Sequence, residues 1–189
     1  MNSKLDRRKK YTRMVLKESL MKLLKVKSIS TVTVKEICAL ADINRSTFYS
    51  HYQDQFDLLN QIEEEIIEDM NETLTAYNFN QDEETLKMIE KIVEYVAENS
   101  DVCSTLFNEH GDSSFKKRIM KVASEHTVKN ALSIYPIDSE ISEYVSIFAI
   151  SGSIHLLENW LKNGMDKPPK EMAELISNLT NKGLSYLQE

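Results

Sequence analysis

No glycine or proline occurs in residues 1–110; the first of either is Gly111, and the 189-residue chain holds only 4 Gly and 3 Pro. Strand-and-turn architectures reverse direction often and use these two residues to do it. A stretch of this length without them predicts long helices joined by short polar connections. The fold class that follows is all-α, and apolar stretches of helical period give about nine helices. The first opens at Asp6, runs to about Val26 and turns Val15, Leu16, Leu20, Leu23 and Leu24 inward.

The next two helices are short and sharply bounded. In residues 33–52, TVKEICALADINRSTFYSHY, the apolar positions Val34, Ile37, Cys38 and Ala41 recur at helical spacing for about two turns before Asp42-Ile43-Asn44 breaks the pattern. Thr33 and Glu36 have the spacing of a capping box, and Asn44 can cap the helix that follows. In that helix Ile43, Phe48 and Tyr52 turn inward together. Ser46, Thr47, Tyr49 and Ser50 project from the opposite side, with Arg45 in the first turn and His51 at the margin. Two helices joined by a turn, the second presenting a polar face without carboxylates, suit a helix-turn-helix whose second member enters a DNA major groove.

This run resembles the amino-terminal signature of TetR-family transcriptional regulators. Thr33, Val34, Ile37, Ala41, Ile43, Thr47, Phe48, Tyr49 and His51 match it, and the chain continues with Tyr52-Gln53-Asp54-Gln55-Phe56-Asp57-Leu58-Leu59. It departs at Cys38, where the family has Ala, and at Asp42, where the family has a turn Gly and a left-handed backbone is wanted. It departs also at Gln55, where a Lys able to meet a phosphate is usual. The resemblance implies a three-helix DNA-binding domain over residues 1–53 and a helical regulatory and dimerisation domain over residues 54–189. The candidate DNA-binding residues are Lys9, Lys10, Thr33, Lys35, Asn44, Arg45, Ser46, Thr47, Tyr49 and His51. Lys35 and Arg45 suit base edges, and Ser46 and Thr47 suit a base or a phosphate. Lys9, Lys10, Thr33, Tyr49 and His51 suit the sugar-phosphate backbone.

Charge supports that division. The formal net charge of −7 conceals 12 Lys and Arg against 6 Asp and Glu in residues 1–60, and 11 against 24 in residues 61–189. A basic head on an acidic body confines attraction for phosphate to one end. Cys38 and Cys103 lie too far apart for a CxxC or metal-ligand pair and read as reduced thiols of a cytoplasmic protein. The basic start MNSKLDRRKKYTR lacks the apolar run of a signal peptide, and nowhere do about 18 apolar residues run together, so no membrane partner is expected. A Gly-rich phosphate loop, zinc-ligand spacing and a nucleophile elbow are all missing; neither an enzyme nor a metal or other cofactor is expected.

From Asp54 to about Tyr77 the pattern is helical, with Phe56, Leu59, Ile62, Ile66, Met70 and Leu74 inward. Glu63, Glu64, Glu65, Glu68, Asp69 and Glu72 are assigned to its solvated face. Later helices end near Glu98, Phe107, Ile134 and Asn163, and the last opens at Pro169, a residue suited to a first helical position. Asn80 with Glu83 has capping-box spacing, Asn108 to Ser114 reads as a loop, Pro136 as a stop, Asp138 as a cap and Gly164 as an end. Met70, Met88, Tyr95, Phe107, Phe115, His126, Phe148 and His155 are candidates to line a pocket for a small-molecule effector; the same residues also suit an ordinary core. Phe148, Gly152, Leu156, Trp160, Leu175 and Leu179, on two terminal helices with broad apolar faces, form a candidate homodimer interface, as TetR-like proteins also use.

The resulting expectation is a homodimeric repressor of double-stranded DNA, reading an inverted-repeat operator and released by an effector bound in the carboxy-terminal domain. A TetR-like interaction module or co-activator that does not itself read DNA stays open, on the altered turn at Asp42 and the missing cation at position 55.

Overall fold

A computed structural model describes residues 2–77, 82–107, 113–134 and 139–182. Among these are nine α-helices and no strand: α1 (Asn2–Leu24), α2 (Val34–Ala41), α3 (Arg45–Tyr49), α4 (Gln55–Ala76), α5 (Asp82–Glu98), α6 (Ser100–Phe107), α7 (Ser113–Ile134), α8 (Ser139–Lys162) and α9 (Pro169–Lys182). The all-α expectation holds. The chain divides into two compact units, the first Met1–Ile66 with Thr105–Phe115, the second Ile67–Ser104 with Lys116–Glu189. The capping box expected at Asn80, the loop around Gly111, and the stop and cap at Pro136 and Asp138 lie outside the described residues.

In the first unit α1 packs on α2, and α2 on α3. Leu16, Leu20, Met21 and Leu24 of α1 are buried together with Val32, Ile37, Phe48, Leu58 and Ile62. Isolated helices of eight or five residues are unstable in water, so α2 and α3 depend on this burial and on their ends. Asp54 starts α4: its Oδ1 accepts from the amides of Phe56 and Asp57 at 2.9 and 2.8 Å, while Asp57 Oδ2 accepts from Gln53 N at 2.8 Å. Four donors are otherwise orphaned at a helix start, which is why this short polar link is fixed.

Two expectations for α4 are corrected. Phe56, expected inward, is 49% exposed, and Leu58 is buried instead. Glu63, expected on the solvated acidic face, is 2% exposed. It stands four residues after Leu59 and three before Ile66, so helical geometry puts it on their buried face.

In the second unit α5 packs along α9, burying Met88, Val93 and Val96 of the one and Met172, Ala173 and Ile176 of the other. α8 ends at a left-handed glycine, Gly164 with φ +72°, whose following amide, Met165 N, reaches back to Trp160 O at 2.8 Å. This is the Schellman closure that a glycine permits without strain. Pro169 occupies the first position of α9, as expected.

Candidate nucleic-acid interface

The polar face of α3 is held in place from both ends and from beneath. At the start of α2, Thr33 Oγ1 accepts from Glu36 N at 3.3 Å, and Glu36 Oε2 accepts from Thr33 N at 3.0 Å and from Thr33 Oγ1 at 2.8 Å. Lys27 Nζ donates to the other oxygen of the carboxylate at 2.6 Å. These bonds, Lys27 foremost and then Thr33, hold the Glu36 carboxyl at about 2, far below the usual carboxylate range. At the far end of α2 Asp42 adopts the left-handed conformation, φ 53° and ψ 42°, and its amide and that of Ile43 both return to Cys38 O. Asn44 Oδ1 then accepts from Ser46 N at 2.9 Å, starting α3. Beneath it Phe48 is fully buried, with Tyr49 edge-on at 5.6 Å and Tyr52 tilted at 5.6 Å.

Above this base Arg45, Ser46, Tyr49 and Ser50 are exposed and Thr47 and His51 are half-buried. Internal bonds sort the hydroxyls further. Ser46 Oγ donates to Asn44 Oδ1 at 3.1 Å, Ser50 Oγ to Thr47 O at 2.6 Å, and Thr33 Oγ1 to Glu36. A hydroxyl has one proton to give, so in this arrangement those three residues shape the surface, and the donors it offers include the side chains of Lys35, Arg45, Thr47 and Tyr49 and the side-chain amide nitrogen of Asn44. Lys35 and Arg45 form no ion pair among the described residues, unlike Lys27 with Glu36 and Lys17 with Glu65 at 3.1 Å.

Two grooves lie next to this segment. One of about 420 Å³ is lined by Ser30, Val32, Thr33, Val34, Lys35, Arg45, Tyr49 and Gln55. The other, about 1090 Å³, lies between α1, the end of α3 and α4 and is lined by Asp6, Lys9, Lys10, Arg13, Met14, Lys17, Ser50, His51, Tyr52, Gln61, Ile62 and Glu65. A helix in a major groove has sugar-phosphate strands beside it, and cationic concavities at α3 and at the segment that follows it suit such contacts. The structure thus brings Lys35 with Arg45 and Tyr49, and separately Lys9 and Lys10 with His51. Burial, and then the charges of Arg13 and Lys9, hold the His51 imidazole below its ordinary value.

Lys9 and Lys10, expected in the opening turn of a helix starting at Asp6, are instead well within α1, which begins at Asn2. Arg13 and Lys17 were missed by sequence reading. Their signal was available: Lys9, Arg13 and Lys17 repeat every four residues and so share one face of a helix. Gln55 lines the first groove in place of the cation the motif would carry.

Of the effector-pocket candidates, Phe107 and Phe115 belong to the first unit, where their rings meet tilted at 48° with centroids 5.7 Å apart. Met70, Met88, Tyr95, His126, Phe148 and His155 belong to the second. There Met88 is buried, His126 Nε2 lies 2.9 Å from Asn71 Oδ1, His155 is exposed, and Phe148 is 80% exposed. Among the described residues Phe148 and His155 therefore stand on an open face. Of the dimer candidates, Phe148 and Gly152 are exposed and Leu156, Leu175 and Leu179 half-buried, while Trp160 is 1% exposed with its indole donating to Lys167 O at 2.9 Å. Trp160 lines up with Ser146, Ile150, Ile154 and Leu157 on the buried face of α8. The outward stripe is Ile141, Tyr144, Val145 and Phe148.

A TetR-type family profile described as a transcriptional regulator C-terminal region matches residues 83–182. The uncharacterized HTH-type transcriptional regulator YxbF of Bacillus subtilis (strain 168) is 41% identical over 59 residues, 31% of this chain but 14% of that protein, so the chain spans only a small part of this relative's length. Among solved structures, NalD of Pseudomonas aeruginosa, the secondary repressor of the MexAB-OprM multidrug efflux pump, superposes with a TM-score of 0.68 over 93% of this chain and 97% of its own, at 16% identity. The transcriptional regulator FadR of Bacillus subtilis in complex with stearoyl-CoA does so with a TM-score of 0.64 over 90% and 98%, at 15% identity. These structural likenesses concern the fold.

Proposed function

Because this chain belongs to the TetR family of transcriptional regulators, we propose that it acts as a homodimeric repressor that reads an inverted-repeat operator with α3 and releases it when an effector binds the second unit. The observation that carries the DNA-reading part is the pair of cationic grooves next to an exposed, carboxylate-free helix face, one at α3 and one at the segment that follows it. Lys35 and Arg45 contact base edges, preferentially guanine, because both are cations without an internal partner among the described residues. Thr47 contacts a base or phosphate. Tyr49 holds one strand, and Lys9, Lys10 and His51 the other. Thr33, Asn44 and Ser46 set the position of this surface through the caps they form.

Dimerisation is supported by the stripe of Ile141, Tyr144, Val145 and Phe148, four large apolar residues each more than half exposed on one helix face. A patch of this kind favours a partner, and a two-fold pairing of α8 and α9 helices gives a dimer that carries two copies of α3. The half-sites then lie about 34 Å apart, or a multiple of that distance. NalD is a repressor of an efflux pump, which supports repression, and FadR was solved with stearoyl-CoA, which supports a small-molecule effector. The coupling requires only that the effector prefer the dimer whose recognition helices do not match the operator.

Selection of bound fragments from random DNA tests the reading. Enrichment of inverted repeats is the expected result. Recovery of no sequence above background, with the folded dimer present, would instead favour an interaction module that does not read DNA.

A further inference from the structure

The larger groove contains one imidazole, that of His51, and it is surrounded. Facing His51 are Asp6, Lys9, Lys10, Arg13 and Lys17 from α1, Gln61 and Glu65 from α4, and Ser50 and Tyr52 from its own segment. Lys17 and Glu65 pair with one another at 3.1 Å. Of the remaining lining groups Lys9, Lys10 and Arg13 outnumber Asp6, with Asp57 of α4 also acting on neighbouring Tyr52, and His51 is half-buried among them.

We infer that His51 takes up a proton when a DNA phosphate enters this groove, so that the chain binds DNA more tightly as pH falls. The inference rests on the DNA-binding reading above. In the empty groove an imidazolium would stand, partly stripped of water, beside three other cations, and the neutral ring is favoured. A phosphodiester reverses the balance: it neutralises those cations and attracts the imidazolium, which carries a charge and donates from both nitrogens where the neutral ring donates from one. Burial, with Arg13 and Lys9 adding to it, already keeps the free ring below its usual value. The complex therefore holds a proton that the free protein lacks, over the interval between the two values. Across that interval log K falls with rising pH, by at most one unit per pH unit per site.

The experiment measures affinity for a random-sequence duplex at low salt by fluorescence anisotropy, from about pH 5.5 to about pH 8, with the full chain and with His51→Gln and His51→Lys. The wild type should lose roughly tenfold in affinity for each unit by which phosphate raises the ring's pKa. Both variants should lose the slope, and the permanently charged His51→Lys should bind more tightly than His51→Gln at every pH. Circular dichroism checks that both remain folded. A wild type whose affinity does not change with pH, or a His51→Gln protein that keeps the wild-type slope, overturns the inference while leaving DNA binding intact. No duplex binding by any of the three at any pH defeats the DNA-binding reading itself.

Discussion

The two units hold their helices by different means. In the first, α2 and α3 are too short to persist alone and are fixed by separate, nameable devices: the Thr33–Glu36 box, the left-handed Asp42, the Asn44 cap and the cluster around Phe48. In the second, α5 and α9 pack along their length, and α8 is apolar on more than one side, Ile150, Ile154 and Trp160 inward and Tyr144 and Phe148 outward. A surface that must meet another molecule in one orientation needs local bonds that forbid alternatives. A bundle that must only exclude water can be assembled from apolar faces alone, and tolerates many choices of residue.

The strongest test of this contrast removes the anchor of each unit. Phe48→Ala and Trp160→Ala should each cost about 3–5 kcal/mol, the range for deleting a fully buried aromatic side chain. Their footprints should differ. By hydrogen exchange, Phe48→Ala should strip protection from α2 and α3 and leave the amides of α5 and α9 protected; Trp160→Ala should do the reverse. Equal loss everywhere in either variant would mean that the units do not differ in the way described.

Next is the outward stripe. Phe148→Ala should weaken self-association by about 2 kcal/mol or more, as expected of a central aromatic anchor, and leave the monomer's thermal midpoint nearly unchanged, since the ring is 80% exposed. Sedimentation velocity across a concentration series reads this directly. An unaltered dimer would place the partner-binding face elsewhere.

Within the first unit, Arg45→Ala should cost about 1–3 kcal/mol at one base position and relax selectivity there, whereas Lys10→Ala should weaken all sequences alike and reduce the salt dependence. Binding to a panel of single-base operator variants separates the two. Matching selectivity profiles would remove the distinction between base-reading and backbone-holding residues in this interface.

The same contrast explains how much was legible from the chain. Thr33, Glu36, Asn44, Phe48 and Tyr52 were readable individually, because a cap or an inward aromatic follows from spacing over three or four residues. Gly164 and Pro169 were readable for a similar reason, each marking a helix end that few other residues suit. Trp160 was not: apolar residues surround α8, so periodicity offers two stripes and gives no reason to prefer one. Glu63 failed for the opposite reason. Its charge argued for solvent, while its position, between Leu59 and Ile66, had already committed it to the interior. The second groove escaped because its cations come from α1 and its histidine from the end of α3, two segments that only the tertiary fold brings together.

The smallest predicted effect concerns the one position where the first unit's local signals conflict. Asp42 stands at φ 53° and ψ 42° at the carboxyl end of α2. A side chain there costs roughly 1–2 kcal/mol in general and less for Asp; its carboxylate also faces the negative end of the helix dipole, worth about 0.3–1 kcal/mol. Against this, glycine is freer in the unfolded chain by about 0.5–1 kcal/mol. The balance favours Asp42→Gly by only about 0.5 kcal/mol, and Asp42→Asn isolates the charge, because Asn tolerates the same backbone. Both variants should raise the unfolding midpoint by about 1–2 °C for a chain of this size, with Asp42→Asn accounting for most of the gain. If Asp42→Asn stabilises and Asp42→Gly destabilises, the left-handed turn is not under strain, and aspartate stands there because it fits the turn rather than in spite of it.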